Sequence, residues 1–241
     1  SGKTTSAHKV AEALEASGTP AHVISLDNFF KGAQYYPRLP DGTLDYENPD
    51  TLDMPLIRQC LSELSTTGKT VLPIYDFTTE SRSSETETLD LKGGVCIVEG
   101  IHALNDDITA KHPEAFKLYI SARSNVEFEG SVVFKGTWMR LVRRTVRDKL
   151  FRAYDPAKTI AMWANVRRGE KLYISPFKNK ANLMLDTALE YELPVMNHIA
   201  TELFSSIPEG IERYEELKQV LPAIQLFGHI DNDLVAPDSL V

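Results

Sequence analysis

The chain has 241 residues, of which 42% are hydrophobic, so it is large enough to bury a sizeable core without disulfides or metals. Its formal net charge of −8 argues against general binding to nucleic acid or to membrane surfaces. Two cysteines without a C-x-x-C spacing, together with the lack of a long apolar run or a signal peptide, predict a cytoplasmic protein.

The first five residues, Ser1, Gly2, Lys3, Thr4 and Thr5, match the second half of the phosphate-binding loop G-x-x-x-x-G-K-[ST]. Gly2 would let the backbone approach phosphates, Lys3 would add positive charge, and the Thr4 hydroxyl can bind Mg²⁺. An ordinary loop that caps a helix is the alternative. On the phosphate interpretation, the first glycine and the preceding strand lie upstream of residue 1, so we expect a longer natural protein.

Strands and helices alternate along the chain. In the first half of the chain, the sequence predicts a helix after Thr5 that ends at Ser17-Gly18, a strand at 21–26, a helix at 53–64, and two arms of a β-ribbon at 71–77 and 85–89. In the second half, it predicts strands at 95–100 and 117–121, helices at 136–154 and 156–172, a strand at 182–186, and helices beyond 193. This alternation predicts an α/β fold with a mainly parallel sheet between helices. The polar segment 31–49 is long for a connection and is predicted to be functional.

Two acidic residues end apolar strands, Asp27 after 21–26 and Glu99 at the end of 95–99. Ligands of parallel sheets bind beyond the carboxyl ends of the strands. Each carboxylate alone could be a helix or turn cap. Together with Thr4, the pair predicts an Mg²⁺ site, because Mg²⁺ needs only one or two carboxylates besides water and phosphate.

The chain resembles the uridine kinase branch of the phosphoribulokinase/uridine kinase family of P-loop kinases. The matching segments are 1–5, 25–30, 46–50, 73–77, 98–101 and 140–148. The closest likeness is to bacterial members with an N-terminal domain like that of threonyl-tRNA synthetase, relative to which the ending 237–241 looks shortened. The resemblance implies a three-layer P-loop kinase domain over 1–241, truncated at its start and its end, with a β-ribbon at about 71–90 over the acceptor site and a helical lid at about 136–172.

The resemblance also implies roles for individual residues. Asp27 would accept the proton of a nucleoside 5′-hydroxyl and lie in the Mg²⁺ shell, Glu99 would hold a metal-bound water, and Lys3 would take part in catalysis. Acidic and aromatic side chains would bind the nucleoside. Tyr46 would pack against it and Glu47 would bind the ribose hydroxyls, while Phe30, Tyr75 and Phe77 would surround the base. Tyr75 and Phe77 share one face of their strand, so simple core packing is the alternative.

Arginines recur at helical spacing within 140–152, at positions 140, 143, 144, 147 and 152. A run of charges is usually a solvated face. Because like charges repel unless an anion neutralises them, the run also predicts an ATP site. The resemblance makes this helix the lid, with Arg144 near the ribose and with Arg147 and Arg152 at the transferring phosphates.

Two positions depart from the family pattern. Glu80 stands where uridine–cytidine kinases usually have a base-reading histidine, and Tyr154 follows Arg152-Ala153 where they have an arginine. A carboxylate only accepts hydrogen bonds, so Glu80 could favour a base with an amino group. The preferred base therefore stays open. His102, which follows the strand-end Glu99, could also approach the site.

Three functions are compatible with this pattern. The first is an ATP- and Mg²⁺-dependent nucleoside 5′-kinase that binds small molecules and could form a homo-oligomer, as relatives do. The second is a kinase for another hydroxylated metabolite, such as a sugar phosphate or pantothenate. The third is a nucleotide-binding regulatory module without turnover. The predicted proton acceptor Asp27 argues against the third, and the aromatic residues favour a flat base over the second.

Overall fold

The computed structural model describes residues 2–211, 214–236 and 239. They form two compact units. The N-terminal unit comprises Lys3–Tyr119 and Arg168–Leu183, and the C-terminal unit comprises Gly2, Ile120–Arg167 and the described part of Met184–Val241. The predicted single kinase domain over 1–241 stays a prediction. The predicted phosphate-binding residue Ser1 lies outside the described residues, as do four of the five residues of the ending 237–241.

The N-terminal unit alternates helices and strands. In chain order they are α1 Lys3–Ala16, β1 Ala21–Ser25, α2 Met54–Thr67, β2 Lys69–Asp76, β3 Ser81–Asp90, β4 Val95–Glu99 and the short α3 Asp106–Thr109. Strands β1 and β4 are parallel, in a register that runs from the pair Ala21 and Val95 to the pair Ser25 and Glu99. Strands β2 and β3 form the predicted antiparallel ribbon. The polar segment 31–49 contains only one short 3₁₀ turn, Ala33–Tyr35, before another begins at Pro49.

Helix α2 shows how local sequence sets an element of this unit. The Asp53 side chain caps its start by accepting a hydrogen bond from the Leu56 N–H at 3.2 Å. Gly68 ends it with a φ of 74°, a left-handed conformation that glycine adopts without strain. Ile57, Cys60 and Leu64 are buried in the core of the unit. The predicted helix at 53–64 is therefore confirmed, and it starts one residue later and ends three residues later than predicted.

The C-terminal unit is mainly helical. Its complete elements are β6 Val126–Phe128, β7 Ser131–Phe134, α4 Gly136–Arg152, α6 Glu192–Ser205 and α7 Tyr214–Ile224. Helix α5, Pro156–Gly169, belongs to this unit except for its last two residues. Strand β5, Leu118–Ser121, pairs with strand β8, Leu183–Asp186, and each of these strands contains residues assigned to both units. Trp138, Trp163 and Val142 lie in the core of the C-terminal unit. Burial of each such side chain contributes about 1.5–3 kcal/mol.

Most predicted elements are present, and the main omission is the hairpin of β6 and β7. Its strands have only three and four residues, and most of their side chains are exposed, so the alternation of apolar and polar residues is too short to mark them. Helix α5 ends at Gly169 instead of at 172, and a single π-helical turn, Glu170–Ile174, follows it. Within the described ranges, no helix combines the length and apolar character needed to span a membrane.

Candidate functional site

The two predicted acidic residues lie at neighbouring strand ends. Glu99 is the last residue of β4 and pairs in register with Ser25, the last residue of β1. Asp27 follows two residues later, in the 3₁₀ turn Leu26–Phe29, where its N–H lies 3.4 Å from the Ser25 hydroxyl oxygen. Asp27 is exposed and Glu99 is buried. Both acidic residues therefore lie at the same edge of the sheet, at the carboxyl ends of β1 and β4.

Thr4, in the first turn of α1, contacts this edge of the sheet. The Thr4 hydroxyl donates a hydrogen bond to Glu99 Oε1 over 3.1 Å. Gly2 has a φ of +75°, and Lys3 and Thr4 form the first turn of α1, so the start of this helix meets the end of β4. Unpaired N–H groups and the helix dipole favour an anion at such a helix start.

The donor set at this edge fits Mg²⁺. Hydroxyl and carboxylate oxygens from Thr4, Glu99 and Asp27 are the hard ligands that this ion prefers, and Mg²⁺ takes few of them from protein. A site made entirely of protein ligands would need more donors, and the described part of the chain contains no group of three or more His, Cys, Asp or Glu side chains arranged to hold a metal. The arrangement suits an ion that phosphate oxygens help to bind.

Five aromatic rings form a continuous row in the N-terminal unit. From one end to the other they are Tyr46, Tyr36, Phe30, Tyr75 and Phe77, and neighbouring ring centroids lie 5.7, 6.0, 5.5 and 5.1 Å apart. We call this set the aromatic row. Tyr36 and Tyr75 are buried and Phe30 is half-buried, whereas Tyr46 is 43% and Phe77 is 62% exposed. Each end of the row therefore exposes part of an aromatic side chain, a surface of the kind that contacts planar groups.

Polar contacts fix the centre of the aromatic row. The Tyr36 and Tyr75 hydroxyl oxygens are 3.3 Å apart and share a hydrogen bond. Burial, followed by this hydrogen bond, raises the pKa of the Tyr36 hydroxyl well above its usual value, and the nearby charge of Glu80 acts in the same direction. Glu80 is exposed in the turn between β2 and β3 and has a φ of 49°. The predicted base-reading carboxylate therefore interacts electrostatically with the aromatic row.

His102 is buried three residues after Glu99. It is 2% exposed, and neither of its ring nitrogens has a hydrogen bond of normal geometry, although the backbone of Glu47 is close enough to favour the protonated ring. Burial is the larger effect and lowers the pKa of the imidazole to about 4. The charge of Lys3 acts in the same direction, and that of Asp45 opposes it. At neutral pH His102 is therefore uncharged.

The predicted lid arginines of α4 surround one buried carboxylate. Asp148, 1% exposed, lies 3.0 Å from Arg147 Nη2, 3.3 Å from Arg144 Nε and 3.4 Å from Arg152 Nη1. We call these four residues the arginine cluster. Its three guanidinium groups outnumber the one carboxylate, and about half of the Arg147 and Arg152 side chains is exposed. The cluster is therefore a cationic surface held by an acidic centre.

The remaining residues of the arginine run have other partners. Arg143 forms an ion pair with the buried Glu192 and also donates to the Thr187 carbonyl. Its charge is therefore neutralised within the C-terminal unit. The guanidinium of Arg140 lies 5.9 Å from the centre of the Trp163 ring. Tyr154, the second departure from the family pattern, is covered by Lys158 Nζ at 4.1 Å from its ring.

The structure thus brings the sequence-predicted residues together in three groups. Thr4 and Glu99 form one, the aromatic row joins four predicted rings through Tyr36, and Asp148 joins three predicted arginines. Sequence reasoning missed Tyr36 and Asp148. Tyr36 could have been noticed as an aromatic residue in a long polar loop, and Asp148 as the acid of an i, i+4 pair with both Arg144 and Arg152.

Comparisons with known proteins identify the family that the chain resembles. The family model described as Phosphoribulokinase / Uridine kinase family matches residues 1–193. The uridine kinase of Deinococcus deserti is 28% identical over 186 residues, which cover 77% of this chain and 82% of the relative. The uridine kinase of Lactobacillus helveticus is 27% identical over 197 residues, with coverages of 81% and 85%.

Solved structures are similar to the chain in fold. The possible uridine kinase from Bacillus stearothermophilus matches with a TM-score of 0.50 and 17% identity, over 77% of this chain and 82% of that one. Phosphoribulokinase from Rhodobacter spheroides matches with a TM-score of 0.54 and 14% identity, over 77% and 67%. These likenesses confirm the predicted α/β fold of the P-loop kinase type, with its parallel strands and flanking helices.

Proposed function

Because the chain belongs to the phosphoribulokinase/uridine kinase family, we propose that it transfers a phosphoryl group from ATP to the 5′-hydroxyl of a nucleoside. The family match and the named relatives indicate a phosphotransferase that uses ATP. The nucleoside acceptor is the finer part of the proposal. Uridine or cytidine is the default, since relatives named uridine kinase match most of the chain.

The aromatic row is the main observation that supports a nucleoside as the phosphoryl acceptor. Its exposed ends, Tyr46 and Phe77, offer flat apolar surfaces of the kind that stack on a nucleobase. Glu47 is next to Tyr46 and is half-buried, and a carboxylate can accept two hydrogen bonds from a ribose diol. A sugar phosphate or pantothenate would offer no flat aromatic ring to stack on these side chains.

The chemistry is assigned to residues at the strand ends and in the arginine cluster. Asp27, exposed at the end of β1, would accept the proton of the attacking hydroxyl. Lys3 and the Gly2–Thr5 backbone would bind phosphate oxygens. Thr4, Asp27 and Glu99 would hold Mg²⁺, which neutralises charge on the phosphates when bound. Arg147 and Arg152 would stabilise the charge that spreads over the equatorial oxygens, and Arg144 would lie near the ribose.

Several finer predictions accompany this proposal. Glu80 would favour a base that carries an amino group, because a carboxylate only accepts hydrogen bonds. Tyr154, in place of the arginine that the family usually has, would remove a donor to a carbonyl of the base. A cytoplasmic location, assembly into a homo-oligomer and the upstream domain like that of threonyl-tRNA synthetase also stay predictions.

The direct test is ADP release by the natural protein with ATP and Mg²⁺ against uridine, cytidine, thymidine, adenosine, ribose, pantothenate and ribulose 5-phosphate. Turnover with one or more nucleosides would support the proposal and show what Glu80 selects. Turnover only with pantothenate or ribulose 5-phosphate would contradict a nucleoside acceptor and identify another hydroxylated metabolite as the substrate. ATP binding without any turnover would favour a regulatory module.

A second experiment tests the proton acceptor. We expect Asp27→Asn to lower kcat by at least about 10³-fold while ATP binding stays unchanged, because the amide cannot take a proton. Asp107→Asn, an exposed carboxylate in the first turn of α3, is the matched control and should keep full activity. Equal kcat for the Asp27 variant and the natural protein would contradict the assignment.

A further inference from the structure

A buried aspartate precedes the proposed nucleoside-binding residues Tyr46 and Glu47. Asp45 is 3% exposed, and its backbone N–H donates to the Pro37 carbonyl over 2.8 Å. Its carboxylate Oδ2 accepts hydrogen bonds from Arg168 Nη2 at 2.8 Å and from the Tyr173 hydroxyl at 3.3 Å. A buried carboxylate is thus satisfied by side chains more than 120 positions away in sequence.

These partners come from the end of α5 and the turn after it. Arg168 lies in the last turn of α5, and Tyr173 lies in the π-helical turn Glu170–Ile174. Asn48 completes the group, because its Nδ2 lies 3.1 Å from the Tyr173 hydroxyl and 3.5 Å from Asp45 Oδ2. We call Asp45, Asn48, Arg168 and Tyr173 the Asp45 cluster. Asp45 directly precedes Tyr46 in the sequence, and Asn48 directly follows Glu47.

Gly169 brings the same two segments into close contact. A Cβ atom placed on Gly169 would lie 2.2 Å from the Glu47 Cβ, a distance that no pair of real side chains tolerates. Only glycine therefore lets the end of α5 approach Glu47 this closely. The contact adds a steric constraint on Glu47 to the hydrogen bonds of the Asp45 cluster.

A buried ion pair is weak evidence for stability, because the desolvation of both charges offsets their attraction. Its directional hydrogen bonds, however, fix geometry. We propose that the Asp45–Arg168 ion pair positions Tyr46 and Glu47 for the acceptor by holding the segment 45–48 against the end of α5. This inference rests on the proposed function, since it assigns the nucleoside to those two residues. Asp45 and Arg168 are positioning residues that need not touch the nucleoside.

The test compares charge removal in the Asp45 cluster with charge removal in an exposed ion pair. Arg168→Met should raise the KM for the nucleoside about tenfold or more and change the KM for ATP less than about twofold. Arg168→Lys keeps the charge without the planar donors and should give an intermediate KM. The control is Lys180→Met, which breaks an exposed pair with Asp106, 2.6 Å long, in the same unit and should leave both KM values unchanged.

A double variant separates positioning from stability. Arg168→Met alone leaves a buried carboxylate without its cation, so thermal stability should fall; Asp45→Asn with Arg168→Met removes both charges and should restore it. The raised nucleoside KM should persist in the double variant, because the link to α5 is still absent. Recovery of the KM together with stability, or an equal rise in Lys180→Met, would overturn the proposal.

Hydrogen exchange makes the result independent of turnover. Arg168→Met should speed amide exchange at Asp45 and Asn48, whereas Lys180→Met should not. If the natural protein phosphorylates no nucleoside, the proposed function fails while the exchange result still reports on the positioning of segment 45–48. If nucleosides are phosphorylated and neither exchange nor KM changes in Arg168→Met, only the positioning inference fails.

Discussion

Each of the two units has a buried aspartate paired with arginine, but the charge balance around the two carboxylates differs. Asp148 in the C-terminal unit has three arginine partners, of which Arg147 and Arg152 are about half exposed. Asp45 in the N-terminal unit has one, Arg168, and its other partners are neutral. The arginine cluster therefore keeps excess positive charge, whereas the Asp45 cluster is balanced. Excess charge at a surface calls for an anionic ligand, and a balanced pair fixes geometry.

The same comparison explains why one buried carboxylate can serve different purposes. In the arginine cluster, the carboxylate reduces repulsion between cations and aligns them before any phosphate arrives. In the Asp45 cluster, the ion pair joins segments that are distant in sequence. Variants of the two clusters and of the residues around them would test this difference.

Removal of the acidic centre should have the largest effect. Asp148→Asn removes the carboxylate that three neighbouring guanidinium groups share, and we expect a loss of about 3 kcal/mol in the free energy of unfolding. Sulfate should raise the melting temperature of this variant more than that of the natural protein, because an anion can replace the carboxylate. Thermal denaturation with and without sulfate measures this, and equal shifts in both proteins would show that the cluster does not need an anion.

Loss of a single exposed arginine should affect catalysis and leave stability unchanged. Arg147→Gln or Arg152→Gln should lower kcat/KM about 10²-fold, equivalent to about 2.7 kcal/mol in the barrier, because each removes one stabilising donor from the transition state. The melting temperature should change little, since both side chains are half exposed. Lys149→Gln on the same helix is the control, and a similar loss there would refute a specific role.

Acid should weaken the N-terminal unit through His102. Its pKa is lowered to about 4 by burial, so between the ordinary value near 6.5 and pH 4 the unfolded chain binds more protons than the folded one. The contribution of His102 to stability is therefore fully present at neutral pH and falls by about 2 kcal/mol at pH 5. The charge of Asp45 raises the pKa of the imidazole and so opposes part of this loss.

The check is denaturant unfolding between pH 7.5 and pH 5. His102→Asn should reduce the dependence of stability on pH in this window. His8→Asn, an exposed histidine in α1, should leave it unchanged. The same slope in the natural protein and in His102→Asn would contradict the assignment of the pH effect to this buried imidazole.

The sequence predicted those elements whose local pattern is strong. The apolar strands that end at Ser25 and Glu99 and the arginine spacing of α4 were enough to place the strand-end carboxylates and the cationic helix. The β6–β7 hairpin escaped prediction because its short strands are mostly exposed. The Asp45 cluster also escaped, because tertiary contacts join Asp45 to Arg168, and no local pattern in either segment marks the other as its partner.

The distribution of tryptophan has a spectroscopic consequence. The chain contains two tryptophans, Trp138 and Trp163, and both are buried in the C-terminal unit. Tryptophan emission therefore reports on the unfolding of that unit, whereas tyrosines such as Tyr36 and Tyr75 provide the aromatic signal of the other. Coincident melting curves from tryptophan fluorescence and far-ultraviolet circular dichroism would mean that both units unfold as one cooperative body, and separated curves would mean that each melts independently.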